Sequence, residues 1–440
     1  MTDQKTGAFA RIVNAATRVE PHELRATVLS FLFIFILMTA YFILRPVRDA
    51  MSSEFSNEEL STLWTGTFLF SVPAVVLYGA IIPHVRFDRL VPSVYAFFAA
   101  TFFGFYFGAS ALPGALWLDK LFYVWLSVFS LFHVSVFWSF MSGTFNRRQA
   151  PRLFAIIATG ASAGAVAGPA VATFFADDIG TMNLMLISAV LLLAPIPLIA
   201  AIERLKTTEL GNAELQADLS RQVRLGRNPF AGFTLLFGNR YLLGIAAFIL
   251  LYVTMNTFFY FEIRDFLGDF ERSTRAQWWG GIDLVVNTLA IVTAMFGTGR
   301  LATRFGMSTT LALLPVLMIG GWLLVAAAPV LMVVVGLQIV RRAGNYAITR
   351  PGREMLFTLV DQDMRYKAKP VIDIVVYRGG DMVTAWAYTG VTAAFGLGLT
   401  GIAIIAAVIA VVWTMAGLYM GRRYDNTPDV RNAAALAAED

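Results

Sequence analysis

The chain has no cysteine, which excludes disulfides, thiolate metal sites and thiol nucleophiles. It has three histidines, and none stands among acids in a pattern that would hold zinc or build a catalytic triad. No Walker loop is present, so an ATP-driven pump is not expected, and no metal, cofactor or enzymatic chemistry is implied. Charge is scarce: 14% of 440 residues are Asp, Glu, Lys or Arg, where a soluble domain carries about 25%. Residues 1–26 are polar and mixed in charge, and no short apolar stretch ends in a small-residue cleavage site, so no cleavable signal peptide is expected.

What replaces charge is hydrophobicity, 58% of the residues, in long runs. Twelve apolar segments are each about 20 residues or longer, enough to cross roughly 30 Å of hydrocarbon. They fall near 27–45, 61–83, 90–112, 117–141, 153–176, 182–202, 241–261, 277–298, 307–328, 329–348, 371–396 and 401–421. An all-α membrane protein of twelve transmembrane helices in two six-helix halves is the fold expected. The divisions are a cytoplasmic N-terminal segment 1–26, a bundle 27–202, a linker 203–240, a bundle 241–421 and a tail 422–440.

Basic residues collect in alternate connections: Arg86 and Arg89; Arg147, Arg148 and Arg152; Lys206, Arg221, Arg224 and Arg227; Arg300 and Arg304; Arg365, Lys367 and Lys369. The positive-inside rule then puts both termini in the cytoplasm. The net charge of +5 follows from those loops and needs no nucleic acid. Asn212 to Leu225 reads as an amphipathic helix at the membrane surface or against the bundle, and Phe9, Ile12, Val13 and Ala16 repeat the pattern weakly.

The halves look duplicated. The first span closes with Arg45-Pro46-Val47-Arg48-Asp49, the seventh with Glu262-Ile263-Arg264-Asp265, and Trp64 and Trp279 follow at similar distances. The run Gly299-Arg300-Leu301-Ala302-Thr303-Arg304-Phe305-Gly306 resembles the Gly-x-x-x-Asp-Arg-x-Gly loop of the major facilitator superfamily, with Thr303 where the acid would sit. Repeated six-helix halves fit that fold, whose site lies between the halves at mid-membrane.

Charges inside apolar spans are the candidates for function, since one at the centre of a spanning helix costs roughly 2.5–3.5 kcal/mol by insertion scales. Arg341 and Arg342 sit near the middle of an apolar helix from Pro329 to Ile348. As neighbours they point about 100° apart, so one can face substrate while the other pairs with Asp373 or Asp381. A guanidinium is a planar fork suited to phosphate or carboxylate. Arg45 and Arg48, with Asp49, read either as interfacial charge with a local pair or as anion ligands; Glu262, Arg264 and Asp265 read the same way. Asp283, close after Gly280-Gly281, neutralises an arginine or carries a proton. Arg350, Arg353 and Lys369 are explained either by topology or by the pathway. Gly160, Gly164 and Gly168, four apart and followed by Pro169, make a smooth groove for static packing or for a sliding contact. His133 is a packed histidine or a relay.

Tyr346, Pro351-x-Arg353-Glu354-Met355, Ala368-Lys369-x-x-x-Asp373 and Arg378-x-Gly380 together resemble the nucleotide transporter family of ATP/ADP antiporters, found in plastids and intracellular bacteria. Arg48-Asp49 matches that family's Lys-Asp, and Phe137-Trp138-x-Phe140 its Phe-Trp-Gly-Phe. The resemblance implies a twelve-helix facilitator-like fold that exchanges nucleotides, with the family's two functional lysines falling on Arg48 and Arg353. Its two functional glutamates have no counterpart: the fourth span has no acid after Asp119, and Asn256 stands about where the other would be.

These readings converge on a secondary transporter for a small anionic, phosphorylated, nucleotide-like metabolite, working by exchange or proton coupling. It would be a monomer in the lipid bilayer of a bacterial inner membrane. Substrate contacts are expected at Arg45, Arg48, Arg264, Arg341, Arg342, Tyr346 and Arg353, with Asp49, Asp265, Asp283, Lys369, Asp373, Arg378 and Asp381 as gate or counter-ion groups. The alternative is a proton-driven exporter of an amphiphile, using the Gly168-Pro169 element and Asp283. A non-transporting scaffold is disfavoured because no extramembrane stretch is long enough to act alone.

Overall fold

The structure is a computed structural model that describes residues 19–81, 87–146, 149–212, 231–296, 298–360, 368–369 and 371–427. Among these residues the secondary structure is entirely helical. Helical segments occupy all twelve apolar spans, and the links after the third and ninth spans separate cleanly, at 112–115 and 328–330. Among the described residues eight helical stretches, Thr181–Thr208 taken as one, are long and apolar enough to cross a bilayer, as a multi-pass membrane protein requires. Most of the expected linker helix, the weak N-terminal pattern, and Arg86, Arg147, Arg148, Arg221, Arg224, Arg227, Arg365 and Lys367 lie outside the described residues.

Two spans differ from a simple rod. The sixth is two helices, Thr181–Leu191 and Pro195–Thr208, joined by a turn. Pro195 opens the second one, where a missing N–H is harmless. The tenth runs as Leu331–Gly344 and a π-helical turn, Asn345–Thr349; a separate short helix, Arg350–Leu356, follows the span. Arg341 and Arg342 therefore occupy the last regular turn rather than the middle of a uniform helix. A second π-helical stretch, Val371–Val376, opens the eleventh span before Tyr377–Phe395. Such turns leave the i→i−4 ladder locally wide and are frequent at functional sites.

The chain folds as two compact units. The first takes residues 1–51, 73–224 and 271–284; the second takes 52–72, 225–270 and 285–440. In the first unit, the helix Ala150–Ile179 lays its glycines on the helix Leu24–Ser52. A Cβ at Gly160 would come within 2.6 Å of the Phe31 carbonyl oxygen, and one at Gly168 within 2.7 Å of the Thr39 oxygen. Gly164 meets the Phe35 oxygen in the same way. The stripe thus seats a neighbouring backbone. Around it, Phe33 packs edge-on to Tyr95 and Phe137, with Phe98, Phe102, Phe122 and Phe129 filling the next layer.

In the second unit the helix Thr298–Ala327 breaks at Gly306, whose φ of 77° suits glycine far better than other residues. The helix restarts under a cap from the far end of the chain. Asp425 accepts hydrogen bonds from Met307 N (2.9 Å), Ser308 N (3.0 Å) and Ser308 Oγ (2.7 Å). Its charge also suits the positive end of the helix dipole. Gly417 and Gly421 on the last helix allow that close approach, one against the Leu311 carbonyl and the other against Ser308.

Candidate functional site

Each unit carries its own set of buried charges. In the first unit, Arg48 forks onto Asp49 Oδ1 through Nε (2.9 Å) and Nη2 (2.6 Å), reaches Ser127 Oγ with Nη1 (3.3 Å), and lies 5.1 Å from the Tyr123 ring centre. Arg45, one turn earlier, has Nε 3.7 Å from Asp49 Oδ2 and 3.6 Å from Asp283 Oδ2. Two arginines and two carboxylates thus meet there, with Asp283 only 2% exposed. Asp119 pairs with Arg272 at 2.7 Å in the same unit. His133 bonds through Nδ1 to the Phe129 carbonyl (3.2 Å) and stacks on Tyr41, 4.5 Å between ring centres. That is a packed histidine, although its Nε2 has no hydrogen-bond partner.

The second unit repeats the first motif with one change. Arg264 forks onto Asp265 Oδ1 through Nε (2.9 Å) and Nη2, and also reaches Asn57 Oδ1 and the Phe55 carbonyl (3.2 Å). Three residues before it, where the first motif has Arg45, stands Phe261, whose ring lies under the guanidinium at 5.2 Å.

Arg341 is different from all of these. It is 0% exposed, and among the described residues none of its hydrogen-bond partners is an acid. Nε and Nη2 donate to Gln338 Oε1 at 2.9 and 2.8 Å, and Nη2 donates to Asn256 Oδ1 at 2.8 Å. The faces of Tyr252 and Phe259 lie 5.2 and 5.5 Å from its central carbon, which spreads the charge over two rings. Its Nη1 has no hydrogen-bond partner. Arg342, the next residue, is 4% exposed.

Between the two π-helical turns lies a charged knot. Arg353 Nη2 donates to Glu354 Oε1 (3.0 Å), Lys369 Nζ donates to Glu354 Oε2 (2.5 Å), and Asp373 Oδ1 stands 3.6 Å from Arg353. Burial alone would raise the Glu354 carboxyl, but the hydrogen bonds from Lys369 and Arg353 outweigh it and hold the group below its ordinary range. Tyr346, half-buried, is in the first π-helical turn and Asp373 in the second. Arg378 and Asp381 pair one turn apart at 3.7 Å. Asp373 therefore serves Arg353 rather than Arg341.

The residues that the sequence reading passed over are mostly neutral or distant. Gln338 looks like an ordinary polar residue until it closes on Arg341, and Asn256, noted only as standing where the resembled family has a glutamate, closes on the same guanidinium. Glu262, read with Arg264 and Asp265 as interfacial charge or as part of an anion site, is buried and bonded by Tyr388. Glu20, His22 and Glu23 bring possible metal-ligand atoms within 4.8 Å of one another, but Arg152 already pairs with both glutamates.

Comparison with solved structures settles the architecture. The nucleoside transporter NupG matches 91% of this chain and 99% of its own, with a TM-score of 0.59 at 15% identity. The fold is major facilitator-like. A bacterial homolog of the human lysosomal transporter Spinster, inward-facing and unoccupied, matches 92% of this chain and 98% of its own (TM-score 0.57, 12% identity). XylE, a proton:xylose symporter of the major facilitator superfamily, matches 90% and 94% (TM-score 0.54, 10% identity). Neither a protein-family model nor a curated protein matches the sequence.

Proposed function

We propose that this chain is a secondary transporter that carries a small anionic, phosphorylated metabolite of nucleotide-like kind across the membrane by alternating access. The observation that carries this reading is Arg341. Among the described residues this fully buried guanidinium is held by two side-chain amides and two aromatic faces, and no acid pairs with it directly. Isolated buried charge is costly, and the cost is relieved when a ligand supplies the opposite sign. The Nη1 atom still has a hydrogen to give. A phosphate oxygen is the acceptor that a guanidinium fork fits best.

Arg45, Arg48, Arg264 and Arg353 act in this reading as paired structural charges that a substrate can draw away from Asp49, Asp283, Asp265 and Glu354. Tyr346 in the first π-helical turn remains a substrate contact, and Lys369, Asp373, Arg378 and Asp381 form the gate beside it. Among the fold neighbours NupG is a nucleoside transporter, and a nucleotide adds to a nucleoside the phosphate that Arg341 would take. The family resemblance of the 346–380 region supports a nucleotide, with ATP/ADP exchange as its most specific form.

The test is uptake by the purified protein in liposomes, using labelled ATP, ADP and sugar phosphates, with and without internal counter-substrate or a pH gradient. Uptake of at least one phosphate ester is expected, with R341A slower by about tenfold or more, the worth of a hydrogen bond to a charged group. If no anion enters under any of these conditions, the reading fails.

A further inference from the structure

Glu262 stands apart from the other acids of the second unit. It is 6% exposed, on the helix Arg240–Leu267, two residues before Arg264. Among the described residues its one hydrogen bond comes from Tyr388 Oη, at 2.8 Å, on the helix Tyr377–Phe395. The rings of Phe258 and Phe261 pack on Tyr388 at 5.4 and 4.7 Å, so the carboxyl sits beside an aromatic cluster. The nearest guanidinium on its own helix, Arg264, directs its donors to Asp265, Asn57 and the Phe55 carbonyl. Among the described residues no cation forms an ion pair with Glu262. On the neighbouring helix Asn57–Ile81, whose Trp64 packs on Tyr260 and Phe261, the acids Glu58 and Glu59 lie in the first turn. Glu58 is exposed, and Glu59 accepts from Ser56 N. Arg378 and Asp381, nearer the start of the Tyr388 helix, pair with each other.

A buried carboxylate with a phenolic donor and no ion-paired cation is poorly compensated, whereas the neutral acid needs no counter-charge. We infer that Glu262 is a proton site, neutral in the closed surroundings seen here and ionised when those surroundings admit water. Its use in coupling rests on the transport reading above: the ion that drives the carrier is a proton carried on this residue. The chemistry balances simply. A proton from water binds Oε2 of the carboxylate, Tyr388 keeps its own proton and donates to Oε1 in both forms, and the same proton returns to water on the other side.

Infrared difference spectroscopy of the full-length protein in detergent tests the site without any substrate, so its outcome is separate from that of the anion reading. The wild type should show a protonated-carboxyl stretch near neutral pH that shifts in heavy water and is missing from E262Q. Y388F, which removes the phenolic hydrogen bond and keeps the acid, should retain the band at a moved frequency. A spectrum of E262Q identical to that of wild type overturns the inference. In liposomes, E262Q should keep exchange of labelled ATP or glucose 6-phosphate but lose any stimulation by an inward proton gradient. Stimulation of E262Q equal to wild type also overturns it.

Discussion

Arg341 gives a hydrogen bond to Asn256 at 2.8 Å, across two helices, and the partner is an amide where an acid would have made an ion pair. The position is therefore held by shape and dipole, with its charge left over. Asn256→Asp places the missing acid there. Apparent stability should rise or hold, while anion uptake falls by about tenfold or more, because the carboxylate competes for the same guanidinium. Thermal melting in detergent and liposome uptake, read side by side, check the opposed directions.

Asp283 and Arg45 meet at 3.6 Å within the first unit. Removing one partner of a buried pair costs about 3–5 kcal/mol, and Arg45 reaches some solvent, so about 1–3 kcal/mol is expected for Asp283→Asn. A double-mutant cycle with Arg45→Ala, scored by melting, should give a clear coupling energy. Additive effects would refute a direct interaction.

Gly164→Ala should be the most damaging of the small substitutions in the glycine stripe, since the added methyl runs into the Phe35 carbonyl. The backbone cannot give way as a flexible side chain can. A lower yield of monodisperse protein than for Gly104→Ala, where nothing lies within 4 Å, is the readout.

Asp425→Ala removes the cap at Met307 and Ser308 and should cost about 1 kcal/mol, the usual worth of a helix cap. Melting should drop modestly with initial uptake rates unchanged. Asp425→Asn, which keeps an acceptor, should recover most of the loss.

Glu354 has a depressed folded value, so its share of stability is complete above its unfolded value of about 4.3 and fades as pH falls through the folded one. Lys369→Gln weakens that depression. The variant should therefore lose less stability than wild type on acidification below about pH 4 and should start from a lower level at neutral pH. Denaturation series at several pH values decide it.

Hydropathy made the twelve helices readable, because a spanning segment must satisfy its backbone internally and announces itself by length. It also flagged Arg341 as a charge in an apolar run. What escaped it were relations over distance. Gln338 is one turn from Arg341, but Asn256 is 85 residues away, and no local pattern joins them. The break at Gly306 was visible as a glycine in a loop motif; its cap was not, since Asp425 comes from the other end of the half. The π-helical turns were unreadable because a π turn differs from an α turn by one backbone register and leaves no composition signal. The Arg48–Asp49 and Arg264–Asp265 forks were legible as adjacent opposite charges, while the phenylalanine at 261 hides that the second motif lacks one cation.

The glycine stripe has one further effect. Where carbonyl oxygens of one helix rest directly on the bare face of another, no change of rotamer can loosen the joint. The helices Leu24–Ser52 and Ala150–Ile179 are thereby welded into a single strut. Whatever bending the first unit undergoes must happen elsewhere, and paired spin labels on those two rods should keep a constant spacing while others drift.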